Sequence, residues 1–116
     1  MNGSLDSFRR DLLITQGCCT DIYNLLRAEI AENTDIQIKA QACRATKNLA
    51  REERGRVNFN ALGVCIRIIA LLKEPRLRLC YDIHLNGIRA LANLALHKRM
   101  QKLLIKEVRS FAPIAE

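Results

Sequence analysis

The phrase RATKNLA at residues 44–50 returns 45 residues later as RALANLA at 89–95. Arg44, Ala45, Asn48, Leu49 and Ala50 are matched by Arg89, Ala90, Asn93, Leu94 and Ala95. A second echo runs out of phase with the first. GCCTDIYNLL at 17–26 and GVCIRIIALL at 63–72 share Gly17/Gly63, Cys19/Cys65, Ile22/Ile68, Leu25/Leu71 and Leu26/Leu72, at an offset of 46. Two echoes with nearly one offset are separate parts of a single repeating unit. Periods of about 20–50 residues belong to stacked supersecondary units, each of which buries its apolar face only against a neighbour.

Each unit reads as three helices. In the second unit a short helix is expected over 53–62, opened by the charged EER at 52–54, whose acidic residues suit a helix N-terminus. Gly63 supplies a sharp turn. A helix over 64–74 then carries Val64, Ile68, Leu71 and Leu72 on one side and is stopped by Pro75. A longer helix over 76–96 places Ile83, Gly87, Ala90, Leu91 and Leu94 on a buried stripe. The first unit repeats the plan over 5–15, 18–31 and 35–51, with Ile38, Ala42, Ala45, Thr46 and Leu49 as its stripe. No alternating strand pattern and no low-complexity linker interrupts the chain. The expected organisation is all-α, with one unit over 1–51, a second over 52–96 and a truncated third over 97–116.

Composition narrows the function classes. The 116 residues suffice for one domain with a core. A net charge of +7 favours acidic partners. The five cysteines form no C-x-x-C pair and cluster with no histidine, so a zinc site is not expected. Cys18-Cys19 could be a redox pair, but the repeat match of Cys19 to Cys65 favours packing. The opening MNGSLDSFRRDLL lacks the apolar stretch of a signal peptide. Reduced thiols and a location in the cytoplasm or nucleus follow as expectations. No apolar run approaches the roughly 20 residues of a membrane span.

The order of short helix, Gly, helix ending in Leu-Leu and long helix ending in Asn-Leu-Ala resembles the armadillo repeat. Those marks fall on Gly17, Leu25-Leu26 and Asn48-Leu49-Ala50, and again on Gly63, Leu71-Leu72 and Asn93-Leu94-Ala95. The third unit departs from the pattern, with Val108 and Arg109 where a Gly would stand. The resemblance implies a right-handed α-solenoid of three helices per repeat, whose third helices line a concave groove. It also implies that the Asn matching Asn48 and Asn93 hydrogen-bonds the backbone of an extended peptide. In nuclear-import adaptors of this family a Trp that stacks on lysines stands four residues earlier. Here Arg44 and Arg89 stand there, so the likeness is to the basic grooves of catenin-type members, and carboxylates or phosphates are favoured.

Helical spacing extends this polar face. Gln37, Gln41, Arg44, Asn48 and Arg51 share one face of the first long helix, and Asp82, Asn86, Arg89 and Asn93 share one face of the second. The candidate partner-binding set is Gln37, Gln41, Arg44, Asn48, Arg51, Asn86, Arg89 and Asn93. Two plainer readings stand beside it: the arginines as solvated charges, and the asparagines as ties for helix ends. The basic HKRMQK at 97–102 reads as a solvated face rather than a lipid or nucleic-acid surface, because no aromatic residues interleave it. Neither His84 nor His97 has a catalytic or metal-binding partner at motif spacing, and no phosphate-binding glycine motif occurs. The expected function is therefore non-catalytic binding of an acidic protein segment, without cofactor, metal or small-molecule substrate. The alternative is a basic surface for anionic lipid or nucleic acid. Exposed solenoid ends would also favour self-association.

Overall fold

The computed structural model describes residues 2–97, 101, 102, 105 and 106, with side chains from Leu5 onward. Most of the expected third unit, including Val108 and Arg109, lies outside the described residues. Within them every regular element is helical, and no strand occurs. The helices are α1 (Asn2–Thr15), α2 (Cys18–Arg27), α3 (Asn33–Leu49), α4 (Glu53–Leu62), α5 (Val64–Lys73) and α6 (Tyr81–Leu94). A 3-10 turn at Pro75–Leu77 sits between α5 and α6. No single described helix is long and apolar enough to cross a membrane.

Two glycines make the same corner in both trios. Gly17 joins α1 to α2 at φ 88°, and Gly63 joins α4 to α5 at φ 82°. This left-handed region is costly for residues with a Cβ. At Gly63 the chain bends by 71° between α4 and α5. Gly55 is required for a different reason. A Cβ there would lie 2.1 Å from the Leu49 carbonyl oxygen, so α4 could not approach the end of α3 so closely.

Each helix of the second trio contacts its counterpart in the first, and α3 against α6 is the most extensive of all the helix pairings. The core lies along this seam. Cys43, Thr46 and Leu49 of α3 are buried with Ile83, Ala90 and Leu94 of α6. Phe59, Val64, Cys65 and Ile68 fill the space behind them. The apolar stripe expected on α6 is buried, Leu91 only partly. The stripe on α3 is buried at Ala42, Thr46 and Leu49 and half-buried at Ala45, but Ile38 is exposed, because no described element covers that flank of the first trio.

Two expected helix limits are corrected. The helix expected over 18–31 stops at Arg27, where Ala28 turns extended. The reason is Lys39, a buried residue of α3 that donates Nζ hydrogens to the carbonyls of Leu25, Leu26 and Ala28. These are carbonyls that a helix end leaves unpaired, and a cation is well placed at that end of the helix dipole. Burial lowers the Lys39 pKa from 10.5, opposed by the Asp35 carboxylate. Asp35 then starts α3, accepting from the backbone N–H of Ala31 and Glu32, both at 2.8 Å. The helix expected over 76–96 begins only at Tyr81, because residues 75–77 wind into the 3-10 turn and seat Leu77 in the core.

Replacing Lys39 with Met keeps the stem and removes the donors. The expected loss is about 1–3 kcal/mol of stability, the cost of stranding buried acceptors, read by urea unfolding. A second outcome concerns acid. The backbone hydrogen bonds from Glu32 and Ala31 hold the Asp35 carboxyl below its ordinary value of 3.8. A depressed folded-state pKa contributes stability at higher pH that is lost as the pH falls through the folded value. The Tm difference between wild type and Asp35→Asn should be constant down to about pH 5 and close as the pH drops below 3.8.

Candidate functional site

The polar residues expected to line a binding face lie on α3, on α6 and just after α3. Gln37, Gln41, Arg44, Asn48 and Arg51 are exposed, as is Arg89; Asn86 and Asn93 are half-buried. Because α3 and α6 pack directly against each other, the two polar stripes belong to adjoining helices. The structure separates their members by environment. Arg44 and Arg89 make no described ion pair. Asn86 Nδ2 donates to the Asp82 carbonyl of its own helix at 2.9 Å.

The two repeated asparagines differ most. Asn93 Nδ2 donates to the Lys47 carbonyl across the seam at 2.8 Å. That carbonyl is left over by the turn ending α3. Arg51 N–H, which helical spacing would send to Lys47, donates to Asn48 instead, and Glu52 N–H donates to Leu49. Asn93 therefore satisfies an orphan acceptor of the neighbouring helix rather than of its own. Asn48 has no preceding third helix in the structure. Its side chain is exposed and has no hydrogen-bond partner among the described residues.

Three clefts border the α3 ridge. One of about 420 Å³ lies between the N-terminal halves of α3 and α6, with Gln37, Gln41, Tyr81 and Asp82 on its walls. One of about 760 Å³ lies on the opposite flank and includes Ile22, Leu25, Ile38 and again Gln37 and Gln41. The third, about 590 Å³, adjoins it and includes Leu13, Cys18, Leu25, Asn48 and Arg51. Four candidate residues thus rim apolar space on the uncovered flank of the first trio. Helical spacing alone does not place them there. The available signal was the repeat itself, because Leu25 and Ile38 match Leu71 and Ile83, which are buried.

Glu52 and the thiols of Cys19 and Cys43 are bound into the scaffold. Glu52 accepts from Arg10 Nε at 2.7 Å and from Ser7 Oγ at 2.9 Å, tying α1 to the start of α4. Burial would raise its pKa, but the Arg10 and Ser7 bonds outweigh burial and hold it below the ordinary value. Burial pushes the Cys43 thiol up to about 12 and the Cys19 thiol, with Cys18 beside it, up to about 11. Both stay protonated at neutral pH, which leaves them poor nucleophiles and poor metal ligands. Among the described residues, no three His, Cys, Asp or Glu side chains gather as a metal site.

No protein-family model matches the chain, and no curated protein or solved structure matches it either.

The unequal surroundings of the two asparagines have a direct readout. Asn93→Ala should cost about 1 kcal/mol in chemical unfolding, the net worth of one intramolecular hydrogen bond. Asn48→Ala, at an exposed position, should stay within about 0.5 kcal/mol of wild type.

Proposed function

We propose that the chain is a non-catalytic protein–protein interaction module, built as an armadillo-type right-handed α-solenoid, that holds an extended acidic segment along the adjoining faces of α3 and α6. The observation that carries this reading is the exposure of Arg44 and Arg89 on two directly packed helices. Neither guanidinium is engaged by a described carboxylate, so both are open to carboxylates of a partner. A guanidinium grips a carboxylate with two parallel hydrogen bonds, which gives direction as well as charge. Asn48 offers a donor and an acceptor to a peptide main chain. Asn93 spends one N–H on Lys47 and keeps its carbonyl oxygen as an acceptor. Gln37, Gln41, Arg51 and Asn86 extend the polar ladder. Asp82 at the cleft between α3 and α6 repels acidic side chains from that end. The ligand's carboxylates accordingly belong beside Arg44 and Arg89, toward the C-terminal halves of the helices. The same reading places the protein in the cytoplasm or nucleus and needs no cofactor.

Fluorescence anisotropy with a labelled Glu-rich peptide at about 150 mM salt, where loose surface attraction is screened, tests this. The Arg44→Ala, Arg89→Ala double variant should bind at least tenfold more weakly, since one hydrogen bond to a charged group is worth about 1.5–3 kcal/mol. Asn48→Ala should weaken binding further without changing the salt dependence. Binding that ignores all three substitutions, or that follows total charge alone and is matched by anionic vesicles, overturns the reading.

A further inference from the structure

We propose that a second copy of this chain docks head-to-tail on the uncovered flank of the first trio, repeating between molecules the seam that joins α1–α3 to α4–α6 within one. This goes beyond the peptide-binding reading and does not depend on it. The internal seam shows what covers each of its two faces, so it serves as the template for the pair left uncovered.

On the side facing away from the second trio, Leu25 is 45% and Ile38 42% exposed, whereas their repeat counterparts Leu71 and Ile83 are 7% and 0% exposed. The residues are the same in kind. What differs is that Leu71 and Ile83 have the first trio against them. Leu25 and Ile38 instead line an open cleft of about 760 Å³. The opposite face shows the reciprocal pattern. Cys43 of α3 is 0% exposed and shares a helix face with Lys39, which borders Arg67, Ala70 and Leu71 of the second trio, while its counterpart Ile88 on α6 is 57% exposed. Positions covered in one trio are therefore open in the other at Leu25, Ile38 and Ile88.

The polar geometry matches as well. The seam is closed by Asn93 donating to Lys47 O, a carbonyl skipped by the turn after α3. The turn after α6 is the same. Ala95 N–H donates to Leu91, Leu96 N–H to Asn93 and His97 N–H to Leu94, as Ala50, Arg51 and Glu52 donate to Thr46, Asn48 and Leu49. This turn skips the Ala92 carbonyl, the counterpart of Lys47. One end of the molecule thus carries an amide donor, Asn48, and the other an acceptor, Ala92 O, that the internal seam pairs. A second copy seated in that register brings Asn48 of one molecule to Ala92 O of the next and Leu25 and Ile38 onto the Ile88 face. The two faces are different patches, so the contact is heterologous and does not close on itself in a pair.

Sedimentation velocity over a concentration series tests this. Wild type should show a ladder of species that grows with concentration. Leu25→Glu with Ile38→Glu removes one face, and Ile88→Glu removes the other. All three positions are exposed, and circular dichroism checks that each variant stays helical. Each variant alone should be monomeric. Mixed in equal amounts, they should form a 1:1 dimer and nothing larger, because one retains each face. Asn48→Ala should weaken wild-type association by roughly 3- to 10-fold, the equivalent of one hydrogen bond. A wild-type chain that stays monomeric throughout overturns the proposal. A closed dimer indifferent to Ile88→Glu, or a mixture that remains monomeric, overturns it as well.

Discussion

The contact between α3 and α6 organises this protein. A helix that stops leaves carbonyls without partners, and α3 stops in a turn that strands the Lys47 carbonyl. Asn93 supplies the missing donor from the next long helix. The bond forms in the same register of α6 on α3 that buries the side chains below it. Cys43, Thr46, Ile83, Ala90 and Leu94 are all buried along that line. A seam of small and medium side chains tolerates few vacancies, because protein interiors are packed at crystal-like density. The polar closure and the apolar filling therefore depend on each other.

The connections that lead into and out of α3 use further devices. Between α2 and α3, Lys39 turns a buried charge into a cap for three carbonyls of α2. Burying an ammonium is costly unless its hydrogens are all engaged, and here each can find a carbonyl. Between α3 and α4, Arg56 Nη1 donates to the carbonyls of Ala50 and Arg51 at 2.9 and 3.0 Å, and Gly55 lets the chain pass against Leu49. Cations thus collect the C-terminal carbonyls at both junctions. Part of the +7 net charge consequently belongs to the scaffold. The arginines of the two long helices, Arg44 and Arg89, stay exposed and make no described ion pair.

Much of this was legible in the residues. The two echoes located the corner glycines and the buried stripe of α6, because those positions follow from helical period and from the need for a positive φ. The stops of α2 and the delayed start of α6 were not legible. They depend on Lys39 and Leu77, which reach their partners only once the helices are packed. Lys39 offered one faint signal, since it lies four residues before buried Cys43 on the same helix face. Nothing local distinguishes such a lysine from one that bends back to solvent. In the candidate site, spacing alone identified the polar stripes on α3 and α6. It could not divide Asn48 from Asn93, which carry the same phrase and differ only in whether another helix lies beside them.

The sequence by itself determined the local grammar: six helices in two matching sets, where the glycine corners fall, and which stripe of each long helix is apolar. These are consequences of backbone sterics and of a 3.6-residue period, and both act over a few residues at a time. Only the tertiary structure decided which of the repeated residues are spent and which remain open. Leu71 and Leu25, Ile83 and Ile38, Asn93 and Asn48 are chemically matched pairs. Their burial and bonding are properties of the neighbour rather than of the residue, because desolvation and hydrogen bonding across a seam exist only when a second surface is present.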